Sequence, residues 1–201
     1  MRIKTLTIFV FITFLLVSSC KNAKIENIEI KDNKQCEEFN KKHVKFAIAE
    51  QNDSAIYYID KAIKCNPEHE NYKFSKVRFL IGLNKYEEAE KVLLTFKNPE
   101  EPTIKMNIGI LKLKTNDAQS ENILKDVHSK FENLKSKSST YFFYKIALDN
   151  YFYGKDYALN QIKEYKREYT TAYDLQNINA LENSIMNNEK KEVLFKLLNI
   201  N

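Results

Sequence analysis

NDSAIYYIDKAIKCNP, Asn52 to Pro67, and NKYEEAEKVLLTFKNP, Asn84 to Pro99, are two versions of one pattern. Ala55 and Ala89 stand 34 residues apart, as do Ile59 and Leu93, and Ala62 and Phe96. Apolar residues at i, i+4 and i+7 give a helix one sticky face. A small residue at the first of these positions lets a second helix come close. A lone helical hairpin cannot cover that face, whereas a stack of hairpins can. With only 3 Gly and 3 Pro in 201 residues, strands joined by tight turns are poorly supplied with turn residues. The composition therefore points to an all-α chain.

These residues resemble the tetratricopeptide repeat, whose period is also 34. Ala55, Ile59, Ala62 and Pro67 match the family's small, apolar, small and proline positions in its second helix. In the next copy Ala89 and Leu93 match, Tyr86 fills the aromatic slot before the alanine, Phe96 replaces the second small residue, and Pro102 falls one residue late. In the first helix of the first copy Phe39 and Phe46 take aromatic slots, while His43 stands where a small residue is expected. The resemblance is good over residues 36–101 and weak beyond. It implies a right-handed superhelical array of antiparallel hairpins over residues 35–201, with the bland alternative an irregular all-α bundle.

Helical spacing continues after Pro102. Thr103 to Leu113 reads as a helix, Asp117 as the N-cap of another reaching about Lys135, and Lys135 to Thr140 as a polar connector. Tyr141 to Tyr153 and Asp156 to Tyr169 form a pair broken at Gly154. Thr171 to Met186 and Glu189 to Leu198 form a last pair around Asn187-Asn188, with Val193, Leu194, Leu197 and Leu198 as a sealing stripe. Five hairpins fill the domain. In the first, Cys36 opens one helix and Cys65 closes the other, and antiparallel packing brings those ends together. A Cys36–Cys65 disulfide is one expectation and two unpaired thiols the other.

The N-terminal MRIKTLTIFVFITFLLVSSC carries Arg2 and Lys4 before an apolar run from Leu6 to Val17. That run is too short for a core of about 30 Å and suits a secretory signal. Val17-Ser18-Ser19-Cys20 resembles a lipobox. The resemblance implies a signal peptide over residues 1–19 and acylation of Cys20 with membrane attachment through the lipid. The charged, Asn-rich stretch that follows, KNAKIENIEIKDNK from Lys21 to Lys34, reads with Cys20 as a flexible tether over residues 20–34. An ordinary cleaved signal and an uncleaved anchor are the alternatives. Lys21 after the cysteine, and no acidic cluster, favour the outer membrane facing the periplasm. Removing residues 1–19 lowers the net charge from +5 to +3. A mildly basic chain with no concentrated basic stripe is not a nucleic-acid binder.

No catalytic or cofactor-binding motif occurs. His43, His69 and His128 are far apart, none with a partner at metal-ligand spacing. Acidic pairs such as Glu87-Glu88 lie beside lysines and read as solvated faces. Two candidate binding sets remain. YFFYKIALDNYFYGKDY, Tyr141 to Tyr157, holds eight aromatics in seventeen residues; they cannot all face one core, and Tyr144, Tyr151 and Tyr153 are its candidates. The repeat resemblance places Asn40, Val44, Ile48, Asn71, Phe74 and Arg78 along a concave groove whose apolar and amide lining suits a protein segment. Val44 stands where a carboxylate-clamp Asn would be needed, which argues against that ligand. The reading is a lipid-anchored, non-enzymatic interaction scaffold without cofactor or metal, of the class that includes the repeat lipoproteins of outer-membrane barrel assembly. Its partner is another envelope protein or peptide. A small-ligand or glycan binder and a toxin-inhibiting lipoprotein are the alternatives.

Overall fold

The computed structural model describes residues 22–133, 139–168 and 171–200. The lipobox, Cys20 and the signal segment lie outside them. Among the described residues there are ten α-helices and no strand. The chain divides after His69 into two compact units.

The first unit is a hairpin of α1 (Asn22–Ile48) and α2 (Asn52–Cys65). Ala55, Ile59 and Ala62 lie fully buried along α2. Cys36 and Cys65 are joined by a disulfide, their Cα atoms 5.4 Å apart. Asn66 Nδ2 donates to Asn33 Oδ1 at 3.2 Å across the same end. Phe46 stacks on Tyr58 with ring centroids 5.3 Å apart. Within the stretch read as a tether, residues 22–34 are helical, α1 beginning at Asn22, well before Cys36. That stretch holds no Gly or Pro to stop a helix, so α1 continues beyond the point where α2 ends beside it.

His43 takes the helix-crossing position opposite Ala55. It is 4 % exposed, and its Nδ1 lies 3.0 Å from the Ala55 carbonyl oxygen. A carbonyl only accepts, so Nδ1 carries the proton. Burial pushes the imidazole pKa below its ordinary 6.5, and the bond to Ala55 opposes this only in part. The folded hairpin thus binds the second proton less readily than the unfolded chain. Stability is complete above pH 6.5 and declines as the pH falls below that value toward the lowered folded pKa. Acid unfolding followed by circular dichroism should show this decline, and His43→Gln should flatten it.

The second unit contains α3 (Glu70–Gly82), α4 (Tyr86–Leu93), α5 (Pro102–Lys114), α6 (Ser120–Asn133), α7 (Ser139–Tyr153), α8 (Lys155–Glu168), α9 (Ala172–Asn187) and α10 (Lys190–Leu197). Each helix packs on the next, and α9 also packs on α7. Ala89 and Leu93 are fully buried. The last helix departs from neighbour-to-neighbour order. It folds back over α7 and reaches α5, burying Val193 and Leu194 and leaving Leu197 and Leu198 half-buried. Lys114 Nζ lies 5.0 Å from the Phe195 ring centroid at that contact.

One turn geometry recurs. After α1, Gln51 N–H donates to Phe46 C=O and Glu50 N–H to Ala47 C=O; after α3, Lys85 donates to Leu80 and Asn84 to Ile81; after α5, Asp117 donates to Lys112 and Asn116 to Leu113. Each pair satisfies the last carbonyls of a helix through a left-handed residue, with φ 57° at Glu50, 58° at Asn84 and 58° at Asn116. Gly154, φ 91°, takes the corresponding place after α7. The first two of these residues are separated by the same 34 positions as the alanines.

Two local details differ from the sequence reading. Asp117 does not cap α6, which starts at Ser120. Its carboxylate instead accepts from Gln119 N–H at 2.8 Å and from Lys112 Nζ at 2.6 Å, because Lys112, also paired with Glu90, stands beside it. Pro102 is no delayed repeat proline; it opens α5 in the first turn, where its missing N–H costs nothing. The connector expected at Lys135 to Thr140 falls largely on residues 134–138, outside the described residues.

The third hairpin has its own small residue. A Cβ on Gly109 of α5 would lie 2.8 Å from Leu124 Cδ2 and 3.1 Å from Ile123 Cγ2 on α6. Leu124 is fully buried, so moving its Cδ2 aside means displacing its neighbours in the close-packed core. Gly109→Val should destabilise the chain by about 2 kcal/mol through overpacking, read as a lower urea midpoint at unchanged slope.

Candidate functional site

The feature that gathers most of the unusual side chains is a face of the second unit built by α3, the start of α5, α7 and α9. Its centre is Glu101, which caps α5. Glu101 Oε2 accepts from Thr103 N–H at 3.0 Å and Ile104 N–H at 3.1 Å, and Thr103 Oγ1 also donates to it. The other oxygen, Oε1, accepts from the Tyr141 hydroxyl at 3.4 Å. Tyr144, one turn further along α7, lies within the electrostatic reach of both Glu101 and Arg78 of α3. Burial holds its hydroxyl pKa above the ordinary value of 10.0, the Glu101 charge adds to that, and Arg78 opposes it. Tyr141 is raised by burial and by Glu101. Both hydroxyls therefore stay protonated at physiological pH, able to donate as well as accept.

Two cavities flank this centre. One, of about 510 Å³, lies between α3 and the start of α5, with Phe74 and Ile104 as its apolar walls and Glu70, Lys97 and Glu101 at its rim. Phe74 is held edge-on against Phe96 with centroids 4.6 Å apart. Beneath it, Lys73 Nζ donates to the Thr95 carbonyl at 2.8 Å. The other cavity, of about 230 Å³, lies between α7 and α9 and includes Tyr144, Tyr173, Asp174 and Asn177 in its lining. Beyond Phe143, Leu181 and Leu197, which line both, a further hollow of about 540 Å³ runs along α9 and α10.

The sequence-derived candidates separate into four places. Phe74 lines the same cavity as Glu101, and Glu101 and Arg78 both act electrostatically on Tyr144. Asn71 is exposed on α3 next to Phe74's turn, its carbonyl accepting from Ser75 Oγ at 2.9 Å. Asn40 and Val44 belong to the first unit. There Val44 is 46 % and Ile48 79 % exposed, one turn apart, while Asn40 is half-buried with its Oδ1 unpartnered among the described residues. Tyr151 and Tyr153 lie about two turns or more from Tyr144 along α7. Tyr151 is buried in the core beneath Lys190, whose Nζ is 5.3 Å from its ring centroid. Tyr153 is exposed, edge-on to Tyr157 at 5.1 Å. The aromatic run therefore feeds two separate places, and only its first half reaches the Glu101 face.

The sequence reading missed Glu101, Tyr173 and Asp174. Glu101's one signal is its place before Pro102, where a helix cap belongs. It also missed a buried polar set on the opposite part of α7. Asp149, fully buried, accepts from His128 Nε2 at 2.7 Å and from Lys145 Nζ at 2.8 Å. His128 Nδ1 lies 3.9 Å from Glu132, and the ring is met edge-on by Phe152 and Tyr153. Among the described residues no group of three or more His, Cys, Asp or Glu could hold a metal ion, and no helix is long and apolar enough to cross a membrane.

No family model matches the chain, and neither the curated proteins nor the solved structures contain a match.

Proposed function

We propose that this protein is a lipid-anchored, non-enzymatic scaffold of the cell envelope. In this reading its hairpins form a tetratricopeptide-like superhelical array, acylated Cys20 attaches it to a membrane, and the face around Glu101 docks a segment of another envelope protein. One observation carries the docking part: Arg78 and Glu101, of opposite charge, both act on the half-buried Tyr144, beside an apolar hollow walled by Phe74. Aromatic anchors flanked by arginine and other polar groups are the composition from which protein interfaces draw most of their affinity. The 34-residue spacing of buried alanines and of left-handed turns supports the array. The lipobox resemblance supports the anchor and an outer-membrane location.

The test is affinity capture of the membrane-attached full chain, with a photo-crosslinking residue at position 78, followed by mass spectrometry. A single stoichiometric envelope protein should be crosslinked. Tyr144→Ala should reduce its recovery by about tenfold or more, the usual loss for an interface anchor. Cys20→Ser should release the chain from membranes without changing partner binding in solution. Recovery that ignores both Arg78→Glu and Tyr144→Ala would remove this face from consideration.

A further inference from the structure

The cavity between α7 and α9 has a chemistry of its own. The rings of Phe143, Tyr144 and Tyr173 line it, with Phe142 and Tyr165 in mutual ring contact, together with the carboxylate of Asp174. Among its described lining residues there is no lysine, arginine or histidine. Arg78 of α3 acts electrostatically on Tyr144 without belonging to the lining, and Lys196 belongs to the adjoining hollow. A hollow of about 230 Å³ with aromatic walls, one acid and no lining base is complementary to a small organic cation.

We infer that this cavity binds an alkylated ammonium group, of the trimethylammonium kind. Aromatic faces carry negative charge density that attracts a cation, most effectively where water is excluded. Asp174 supplies the full counter-charge. One of its oxygens, Oδ2, already accepts from Thr171 Oγ1 at 2.5 Å, which fixes the carboxylate at the first turn of α9. A primary ammonium brings three N–H donors and needs three acceptors when desolvated. A methylated one brings none and loses little hydration, so walls that are mostly carbon suit it better. Tyr173 lines the cavity from α9 and is 72 % exposed, so its ring is not part of the core.

The experiment is calorimetric titration of the full Cys20→Ser chain with choline chloride, set against 3,3-dimethyl-1-butanol, the uncharged analogue of the same shape. Choline should bind saturably and at least about tenfold more tightly than the analogue. Asp174→Asn keeps an acceptor for Thr171, so α9 should stay capped, while choline affinity falls at least about tenfold. Tyr173→Leu, at an exposed position, should weaken choline severalfold and leave the analogue unchanged. Equal affinity for choline and the analogue would overturn the inference and leave a merely apolar hollow. Tighter binding of N-acetyl-lysine methylamide than of choline would overturn it in favour of a protein lysine. Sedimentation with phosphatidylcholine but not phosphatidylglycerol vesicles, reversed by choline, would identify a lipid headgroup as the source. Choline binding without vesicle binding would identify a soluble compound. These readouts do not use the partner protein, so they stand or fall separately from the docking reading.

Discussion

Asp149→Ala should lower the unfolding free energy by about 3–5 kcal/mol, the largest loss expected of any single polar substitution in this chain. The carboxylate is fully buried and holds two donors, His128 Nε2 on α6 and Lys145 Nζ on α7. Removing it leaves the lysine ammonium only 20 % exposed, and the imidazole without an acceptor at 2.7 Å. The cost is that of stranded donors more than of a lost attraction. The double variant His128→Ala, Asp149→Ala removes one donor together with its acceptor and should lose markedly less than the sum of His128→Ala and Asp149→Ala. Urea denaturation of the four chains gives the coupling directly. A single-variant loss below about 1 kcal/mol would mean that water reaches the site and replaces the carboxylate.

Opening the Cys36–Cys65 bond, by Cys36→Ala with Cys65→Ala, should cost about 3–4 kcal/mol in the chain-entropy account of a loop of 29 residues. The effect should be confined to the first unit. Hydrogen exchange of buried amides near Ala55 and Ile59 should accelerate, while those near Leu124 and Ile146 keep their protection. Reductant should reproduce the change in the wild-type chain. Both cysteines are tied to residues that hold the hairpin end together, since Asn33 and Asn66 bond across the same place. Unchanged protection around Ala55 after reduction would show that packing of Ile59 and Ala62 against α1 is enough.

The hairpins were legible because their signals are local. Ala55, Ile59, Ala62, Ala89 and Leu93 recur at helical spacing and all end fully buried. Gly154 breaks the aromatic run at a left-handed φ that favours glycine. The polar set around Asp149 was not legible, because His128 and Asp149 lie 21 residues apart on different helices and no spacing rule joins them. Gly109 shows a subtler loss. The third hairpin keeps the small crossing residue but carries it on the first helix, so a search for alanine in the second finds nothing. At the candidate site, the repeat resemblance marked Phe74 and Arg78 and the crowding of the aromatic run marked Tyr144, yet neither could say which tyrosines of that run would be buried. That choice is made by neighbours: Lys190 closes over Tyr151, whereas Tyr144 faces Glu101 and Arg78. The start of α1 was not legible, because charge and asparagine content suit a tether as well as an exposed helix, and nothing in residues 22–34 forbids the helix.

The reuse of one helix-ending turn after α1, α3 and α5 bears on how quickly the chain finds its structure. Each reversal is closed by hydrogen bonds spanning five residues or fewer, so each pair of helices can meet without first bringing distant sequence together. Chains dominated by such short-range encounters fold on microsecond to millisecond scales. The return of α10 to α5, with Lys114 over Phe195, closes a long segment. It should form last, as the slow final step of an otherwise rapid assembly.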